Sequence, residues 1–178
     1  LLEGPLGDTF IDAIRLRWSA QLGQDASIEE IASLFREYTP SQIDGALNTI
    51  KGKMFEIMVT EQENIDGDQW HATMHTDETF PGSDIIFSNA ETGQQMEISL
   101  KAASDGNSYI IEEALSRYPN TPIMTTDELA SLFKDDSRVF GSGFLNEDLE
   151  NISKEKYRQL IEEIEPINEY QVVIGGVT

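Results

Sequence analysis

Apolar residues recur every three to four positions through the first fifty residues, the spacing typical of helices with one buried face. A first helix is predicted over 9–22. Two further helix starts are predicted at Ser27 and Thr39, each followed three residues later by Glu or Gln in the pattern of a capping box. The pattern therefore predicts three short helices, forming an N-terminal helical extension over 9–50, while residues 1–8 have the composition of a tail or linker.

From residue 51 the pattern alternates between helical spacing and the period of two that is typical of strands. The predicted order is a helix over 51–66, strands over 69–77, 83–89 and 95–102, a helix over 107–118 and a strand over 122–125. Beyond these we expect a helix over 127–133 capped by Thr126, a strand over 138–140, helices from Asn146 and over 153–164, and a strand over 170–174. This order predicts an α/β (α+β) fold over 51–178, a mixed central sheet flanked by helices with a helix–strand–strand–strand–helix–strand core.

The second and third predicted strands form a hairpin that carries the candidate chemistry. Asp84 follows a Pro-Gly-Ser turn at the start of the second strand, and a turn at 92–93 reverses the chain. Side chains alternate between the two faces of a strand. Glu97, Ser99 and Lys101 therefore share one face of the third strand, and apolar residues occupy the other.

Composition limits the classes of protein that the chain can belong to. The chain has 178 residues, of which 39% are hydrophobic, enough for a folded core. The absence of cysteine excludes disulfides and zinc–thiolate sites and fits a reducing compartment. Because the sequence shows neither an apolar run of about 20 residues nor a basic-then-apolar leader, a cytoplasmic location is predicted. It begins with Leu1 rather than Met, so we expect it to be a piece of a longer protein.

The charge of the chain is strongly negative. Twelve basic residues stand against 33 acidic ones, which gives a net charge of −21. Such a chain repels phosphate at long range unless its basic residues cluster. Solvation of the surface explains much of this charge, and a basic protein partner or a metal-binding group of carboxylates are the functional alternatives.

The hairpin has residue types that suit phosphodiester hydrolysis. Asp84 and Glu97 offer the oxygen ligands that Mg²⁺ or Mn²⁺ prefer. Lys101 could position a water molecule or stabilise the phosphate, and Glu56 on the preceding helix could orient the lysine or complete the metal shell. The simpler alternative is that Asp84 only enters a turn and that the third-strand residues only form a solvated face.

On these residues the chain resembles the PD-(D/E)XK nuclease superfamily. The matching positions are Glu56 on the first core helix, the sequence Pro81-Gly82-Ser83-Asp84, and Glu97 with Lys101 on the third strand. The resemblance covers about residues 51–126. It implies a mixed sheet flanked by helices and cleavage of DNA or RNA with Mg²⁺, with Asp84 and Glu97 as metal ligands. Such domains serve in restriction, in repair and as toxic or defence modules of larger proteins.

The spacing in the third strand leaves two alignments open. The family has one residue between its second acid and its lysine, whereas three separate Glu97 from Lys101. Either Ser99 occupies the acid position, where some branches carry Gln, or Glu97 is the acid and the lysine is displaced by ~7 Å along the strand. An inactive acidic interaction module of the same fold, with a basic protein as its partner, is the alternative function.

Other candidate motifs give weaker signals. His71 and His75 share a strand face but lie ~13 Å apart, too far to bind one metal ion, so they are interpreted as surface or lining residues. Residues 64–68 resemble the start of a calcium loop but lack its later ligands, which predicts a helix end and a turn. Glycine-rich phosphate loops and Gly-x-Ser-x-Gly elbows are not found in the sequence.

Overall fold

The computed structural model describes residues 2, 4–77 and 80–163. Four helices precede the sheet: α1 (Pro5–Arg17), α2 (Ser19–Leu22), α3 (Ile28–Arg36) and α4 (Pro40–Ile65). The capping boxes predicted at Ser27 and Thr39 are both present, with side chain and backbone hydrogen bonds exchanged at each helix start. Within the described ranges, no helix combines the length and the apolar character that crossing a membrane requires.

Five strands form one mixed sheet in the order β1-β2-β3-β4-β5. They are β1 (Trp70–Met74), β2 (Ile85–Asn89), β3 (Gln95–Lys101), β4 (Ile123–Thr125) and β5 (Val139–Gly141). The first three strands are antiparallel neighbours, whereas β4 is parallel to β3 and β5 is parallel to β4. The predicted mixed central sheet flanked by helices is confirmed.

Helices cover both faces of the sheet. The remaining helices are α5 (Tyr109–Arg117), α6 (Asp127–Ala130) and α7 (Asn146–Glu163). Phe55 and Val59 of α4 and Leu149 of α7 pack on the face of the sheet that carries the alternate residues Ile85, Phe87, Ile98 and Leu100. Ile111 and Leu115 of α5 pack on the other face, against Ile123. The side chains of Asp84, Ser99 and Lys101 belong to this second face.

The N-terminal helices share a core with the helices of the sheet domain. Phe10 and Ile14 of α1 and Phe35 of α3 are fully buried or nearly so, in one cluster with Met54 of α4 and Leu160 of α7. The rings of Trp18, Tyr38 and Tyr157 each form a T-shaped, edge-to-face pair with the ring of Phe35. Aromatic pairs in this arrangement add to the free energy gained by burial.

Several predicted boundaries are wrong. The first helix begins at Pro5, inside the predicted tail, and Leu2 is buried. A single helix crosses residues 50 and 51, where a break between two helices was expected, because one continuous set of buried side chains runs along α4. The two helices predicted after residue 146 are likewise one helix. The strand predicted over 170–174 lies outside the described residues.

Thr126 lies at the predicted N-cap position, but its side chain does not cap the helix. The Thr126 side chain accepts no capping hydrogen bond, and its hydroxyl instead donates to the Ala103 carbonyl at 2.6 Å. The helix that follows is short and continues as a 3₁₀ turn over Ser131–Phe133. A hydroxyl that satisfies a buried carbonyl on a neighbouring segment therefore replaces the local cap that the pattern predicts.

The outer edge of β1 is bound by a side chain. Nδ2 of Asn64, near the end of α4, donates to the Ala72 carbonyl at 3.0 Å, and its Oδ1 accepts from the Ala72 amide at 2.7 Å. Two residues before Ala72, the Trp70 amide donates to Oδ1 of Asp68 at 2.6 Å. These side chains fix the turn between α4 and β1, as the predicted helix end at 64–68 requires.

Candidate functional site

The approach to β2 depends on a glycine. Gly82 has a φ of +89°, in the left-handed region that residues with a Cβ atom rarely adopt. A Cβ atom at this position would lie only 2.7 Å from Cδ1 of Tyr118. The backbone at Gly82 therefore packs directly against the Tyr118 ring, which joins the start of β2 to the end of α5.

Asp84 is held by both strands that flank it. Its amide donates to the Ile98 carbonyl at 2.9 Å, and its carbonyl accepts from the His75 amide at 3.2 Å. Its carboxylate Oδ2 accepts from the Leu100 amide at 2.6 Å and from the Ser99 hydroxyl at 3.1 Å. None of the described residues donates a hydrogen bond to Oδ1. One carboxylate oxygen is anchored, and the other is left for a ligand or for water.

Lys101 lies beside Asp84 on the same face of the sheet. The distance from Lys101 Nζ to Asp84 Oδ2 is 3.6 Å, and the two side chains are 31% and 29% exposed. The position of Lys101 is secured from β4, because the fully buried Thr125 donates its hydroxyl to the Lys101 carbonyl at 2.6 Å. The structure thus brings together two of the four site residues that the sequence predicts.

These two residues line a cleft of about 370 Å³ between the sheet and α5. Glu113 and Arg117 of α5 form the facing wall, where Arg117 donates to Glu113 at 3.0 Å. The other lining residues are Phe80, Gly82, Ser83, Ser99, Ile110, Ala114 and Tyr118. The formal charges of the two acids and two bases sum to zero, although the whole chain has a net charge of −21.

Glu97 does not line the cleft. It pairs with Ile86 across the hairpin, is exposed, and lies one strand repeat before Ser99, ~7 Å along β3. Ser99, by contrast, is buried and contacts Asp84 directly. The register of the hairpin therefore places Ser99, rather than Glu97, beside Asp84.

Glu56 also lies outside the cleft. It is on α4, whose buried face packs on the opposite side of the sheet, and its Oε2 is 2.6 Å from Lys53 Nζ. Both side chains are largely buried, at 18% and 14% exposed. The predicted contact of Glu56 with the lysine of the hairpin is absent, because the sheet separates the α4 layer from the cleft.

His75 and Ser83 form a contact that the pattern of the sequence does not reveal. His75 Nε2 lies 2.6 Å from Ser83 Oγ, and the imidazole ring stacks on Phe80 with centroids 4.3 Å apart and planes at 16°. Ser83 is buried. The signal in the sequence that could have indicated this contact is the Pro81-Gly82 turn, which brings Ser83 back beside His75 at the end of β1.

Glu113 and Arg117 were likewise missed. Their spacing of four residues is that of an ordinary pair on a helix surface. Only the crossing of α5 from β3 to β4 brings them over the hairpin, and nothing in their local sequence distinguishes them from the other acids and bases of the chain.

A separate group of acids lies at the opposite end of β1 from Asp84. One carboxylate oxygen from each of Glu63, Asp66 and Asp68 lies within 4.8 Å of the others, close enough to hold a metal ion together. Burial raises the pKa of Glu63, and the nearby charges of Asp66 and Asp68 raise it further. The three acids could therefore bind a cation, and they repel each other without one.

Comparison with protein-family models, with curated proteins and with solved structures finds no match for this chain. Its function is therefore inferred from the geometry of the cleft.

Proposed function

We propose that the chain is a metal-dependent nuclease domain of the PD-(D/E)XK type that hydrolyses phosphodiester bonds of DNA or RNA. The observation that carries the proposal is the 3.6 Å approach of Lys101 to Asp84 in a cleft. Its setting supports the same conclusion, since an antiparallel β2–β3 hairpin is followed by a helix and a parallel β4. Within a larger protein, such a domain would act as a toxin or defence module.

The donor groups of the cleft suit Mg²⁺ or Mn²⁺. Mg²⁺ in enzymes typically takes one or two carboxylates and keeps several water molecules. Asp84 offers Oδ1, and Glu113 is the second carboxylate among the lining residues. A bound metal ion would lower the pKa of a water molecule and neutralise negative charge that develops on the phosphate.

The other groups of the cleft have distinct roles in this proposal. Lys101 donates a hydrogen bond to a phosphate oxygen or to the attacking water, and Arg117 neutralises phosphate charge from the facing wall. Ser99 and the Leu100 amide act as positioning groups, since both bond to Asp84 Oδ2 and leave Oδ1 directed elsewhere. Removing the charge of either Asp84 or Lys101 should therefore lower turnover sharply while the fold persists.

The test is incubation of the chain with plasmid DNA, with single-stranded DNA and with RNA in Mn²⁺. Asp84→Asn and Lys101→Met should each lower the cleavage rate by about 10² or more, because each removes a group that acts on the reacting phosphate. Glu97→Gln is the matched control on the same face of β3. We expect it to retain activity, because Glu97 lies outside the cleft.

Two results would contradict the proposal. Intact substrate at high concentrations of the wild-type chain would exclude the nuclease, and equal cleavage by the Asp84→Asn variant would show that another site or a contaminant is responsible. Loss of activity in Glu97→Gln together with full activity in Lys101→Met would instead support the alternative alignment of the third strand.

Two observations favour a second candidate, an acidic interaction module without catalysis. A hydroxyl, not a carboxylate, stands beside Asp84, and the chain carries 33 acidic residues against 12 basic ones. A basic protein partner would then bind chiefly through charge. Binding of a polylysine peptide that weakens steeply with salt, combined with no cleavage of either nucleic acid, would support this candidate.

A further inference from the structure

Phe80 presents an aromatic ring at the rim of the cleft. Phe80 lines the cleft, and the residue is 41% exposed. Its orientation is set by the parallel stack on His75, and His75 is held in turn by the 2.6 Å contact with the buried Ser83. A second flat ring can stack on an exposed aromatic ring that is held in one orientation, and nucleobases stack on aromatic side chains in this way.

Two cations lie in the same cleft as Phe80. Lys101 comes from the sheet and Arg117 from α5. A nucleotide needs both kinds of contact, an aromatic surface for its base and positive charge for its phosphate. The cleft offers both within about 370 Å³, which is at the small end of the range for pockets that bind single small molecules.

The charge of the whole chain disfavours duplex binding. A DNA duplex carries a negative charge about every 1.7 Å along its axis, and proteins that bind it neutralise several phosphates at once. With a net charge of −21, this chain as a whole repels phosphates at long range, whereas the four charges of the cleft cancel. A flexible single strand can enter with one or two phosphates and keep the others away from the acidic surface.

We propose that the cleft takes one nucleotide of a single-stranded nucleic acid, with its base on Phe80 and its phosphate toward Lys101 and Arg117. This inference rests on the proposed function, whose substrate class it narrows. Single strands, overhangs and flaps would be cleaved, whereas blunt duplexes would not.

Binding without cleavage tests the inference separately from the chemistry. Labelled oligothymidylate of about 12 nucleotides and a duplex of equal length would be compared by fluorescence anisotropy in Ca²⁺ at low salt. We expect the single strand to bind at least about tenfold more tightly. Phe80→Ala should weaken single-strand binding by about 5- to 100-fold, the loss expected for one base–aromatic stack, and Phe80→Tyr should restore it.

Leu132→Ala serves as the matched control, since Leu132 is a large apolar side chain that is 55% exposed and does not line the cleft. This variant should bind like the wild type. Circular dichroism melting of each variant separates a lost contact from a lost fold, and Phe80→Tyr keeps the test valid if Phe80→Ala unfolds.

The outcomes distinguish the two proposals. Equal binding of single strand and duplex, or unchanged binding in folded Phe80→Ala, would overturn the inference even if Asp84-dependent cleavage were observed. Thymidine monophosphate that bound as tightly as the oligonucleotide would also overturn it, because the site would then be a pocket for free nucleotides. Phe80-dependent single-strand binding with no cleavage would support the inference about binding and contradict the nuclease.

Discussion

At the scale of single residues, Asp84 is arranged to present one free oxygen. Oδ2 is engaged by an amide, a hydroxyl and an ammonium group, all within 3.6 Å. A second carboxylate at position 99 would raise the energy of the metal-free site through repulsion at short range. Ser99 avoids this repulsion, but a hydroxyl would be a weaker ligand than an acid for the metal ion that the proposed function requires. Stability of the empty site and affinity for metal are therefore opposed at this position.

Ser99→Asp should reverse that balance. Without metal, we expect a lower Tm, by about 2–4 °C for each kcal/mol of repulsion in a chain of this size. Mn²⁺ should restore the Tm and bind more tightly than to the wild type, because the ion would meet two adjacent carboxylates. Thermal melting with and without Mn²⁺ and isothermal titration calorimetry would measure both effects.

Ser88→Asp is the control for this change, because Ser88 lies on the same face of the sheet but away from Asp84 and hydrogen-bonds to Gln95. It should leave Mn²⁺ affinity unaltered. Equal Mn²⁺ affinity of Ser99→Asp and the wild type would show that the free oxygen of Asp84 does not face a metal position.

The alternation of side chains along β3 was sufficient to predict that Glu97, Ser99 and Lys101 belong to one face. The alternation could not predict whether Ser99 or Glu97 lies beside Asp84, because both residues share that face. The decision depends on the register of the hairpin, in which the Asp84 amide bonds to the Ile98 carbonyl. Register depends on the length of the turn and on packing, and so it is not readable from the alternation alone.

At the scale of elements, the two capping boxes were reliable signals, whereas the side-chain cap at Thr126 and helix propensity were not. The capping boxes at Ser27 and Thr39 predicted two helix starts correctly, since each is made within four residues. The expected break near residue 50 did not occur, although Gly45 and Gly52 both lower helix propensity. Buried contacts of Ile50 and Met54 with the N-terminal helices and α7 outweigh that local preference.

Replacing these glycines should stabilise the protein. Both lie inside α4, and a Cβ atom at either position would meet nothing within 4 Å. Gly45→Ala and Gly52→Ala should each raise the free energy of unfolding by about 0.5–1 kcal/mol, because alanine restricts the unfolded chain more than glycine does. Urea unfolding would measure the change.

Gly82→Ala provides the opposite case in the same experiment. It should lower stability, since the residue has a positive φ and the added atom would contact the Tyr118 ring. A loss of stability in Gly45→Ala would contradict the continuous helix over Pro40–Ile65.

At the scale of the whole molecule, the negative charge is distributed unevenly. Some acids gain from a partner: hydrogen bonds from Arg138 lower the pKa of Asp136 to about 2, and those from Arg158 lower the pKa of Glu155. Glu63 is the reverse case, with a pKa raised by burial and by its acidic neighbours. A net charge of −21 opposes the compact state, because the acidic residues repel each other. Salt should therefore stabilise the fold by screening the repulsion between these residues.

Glu63→Gln should be more stable than the wild type near neutral pH. The raised pKa of Glu63 means that its ionised form is disfavoured in the fold, so its cost is present above that pKa and disappears as pH falls through it. The advantage of the variant should therefore vanish below pH 4.5, the ordinary pKa of the group. Urea unfolding of the variant and the wild type, near neutral pH and below pH 4.5, would measure this difference in stability.

The change in stability caused by Glu155→Gln should have the opposite sign to that caused by Glu63→Gln. The lowered pKa of Glu155 contributes stability that is present above its ordinary pKa and is lost as pH falls below that value. The variant should be slightly less stable than the wild type near neutral pH and equal to it in acid. Equal stability of Glu63→Gln and the wild type at neutral pH would mean that burial and the two neighbouring acids do not disfavour the ionised form of Glu63.

The amide of Asn64 occupies both backbone groups of Ala72 that would otherwise face outward from the edge of β1. An incoming strand from another molecule would have to displace this side chain before it could pair. The β1 edge is therefore protected against sheet extension, and with it against the edge-to-edge association that starts many aggregates. Asn64, near the end of α4, thus helps to protect the protein against aggregation and also links the helix to β1.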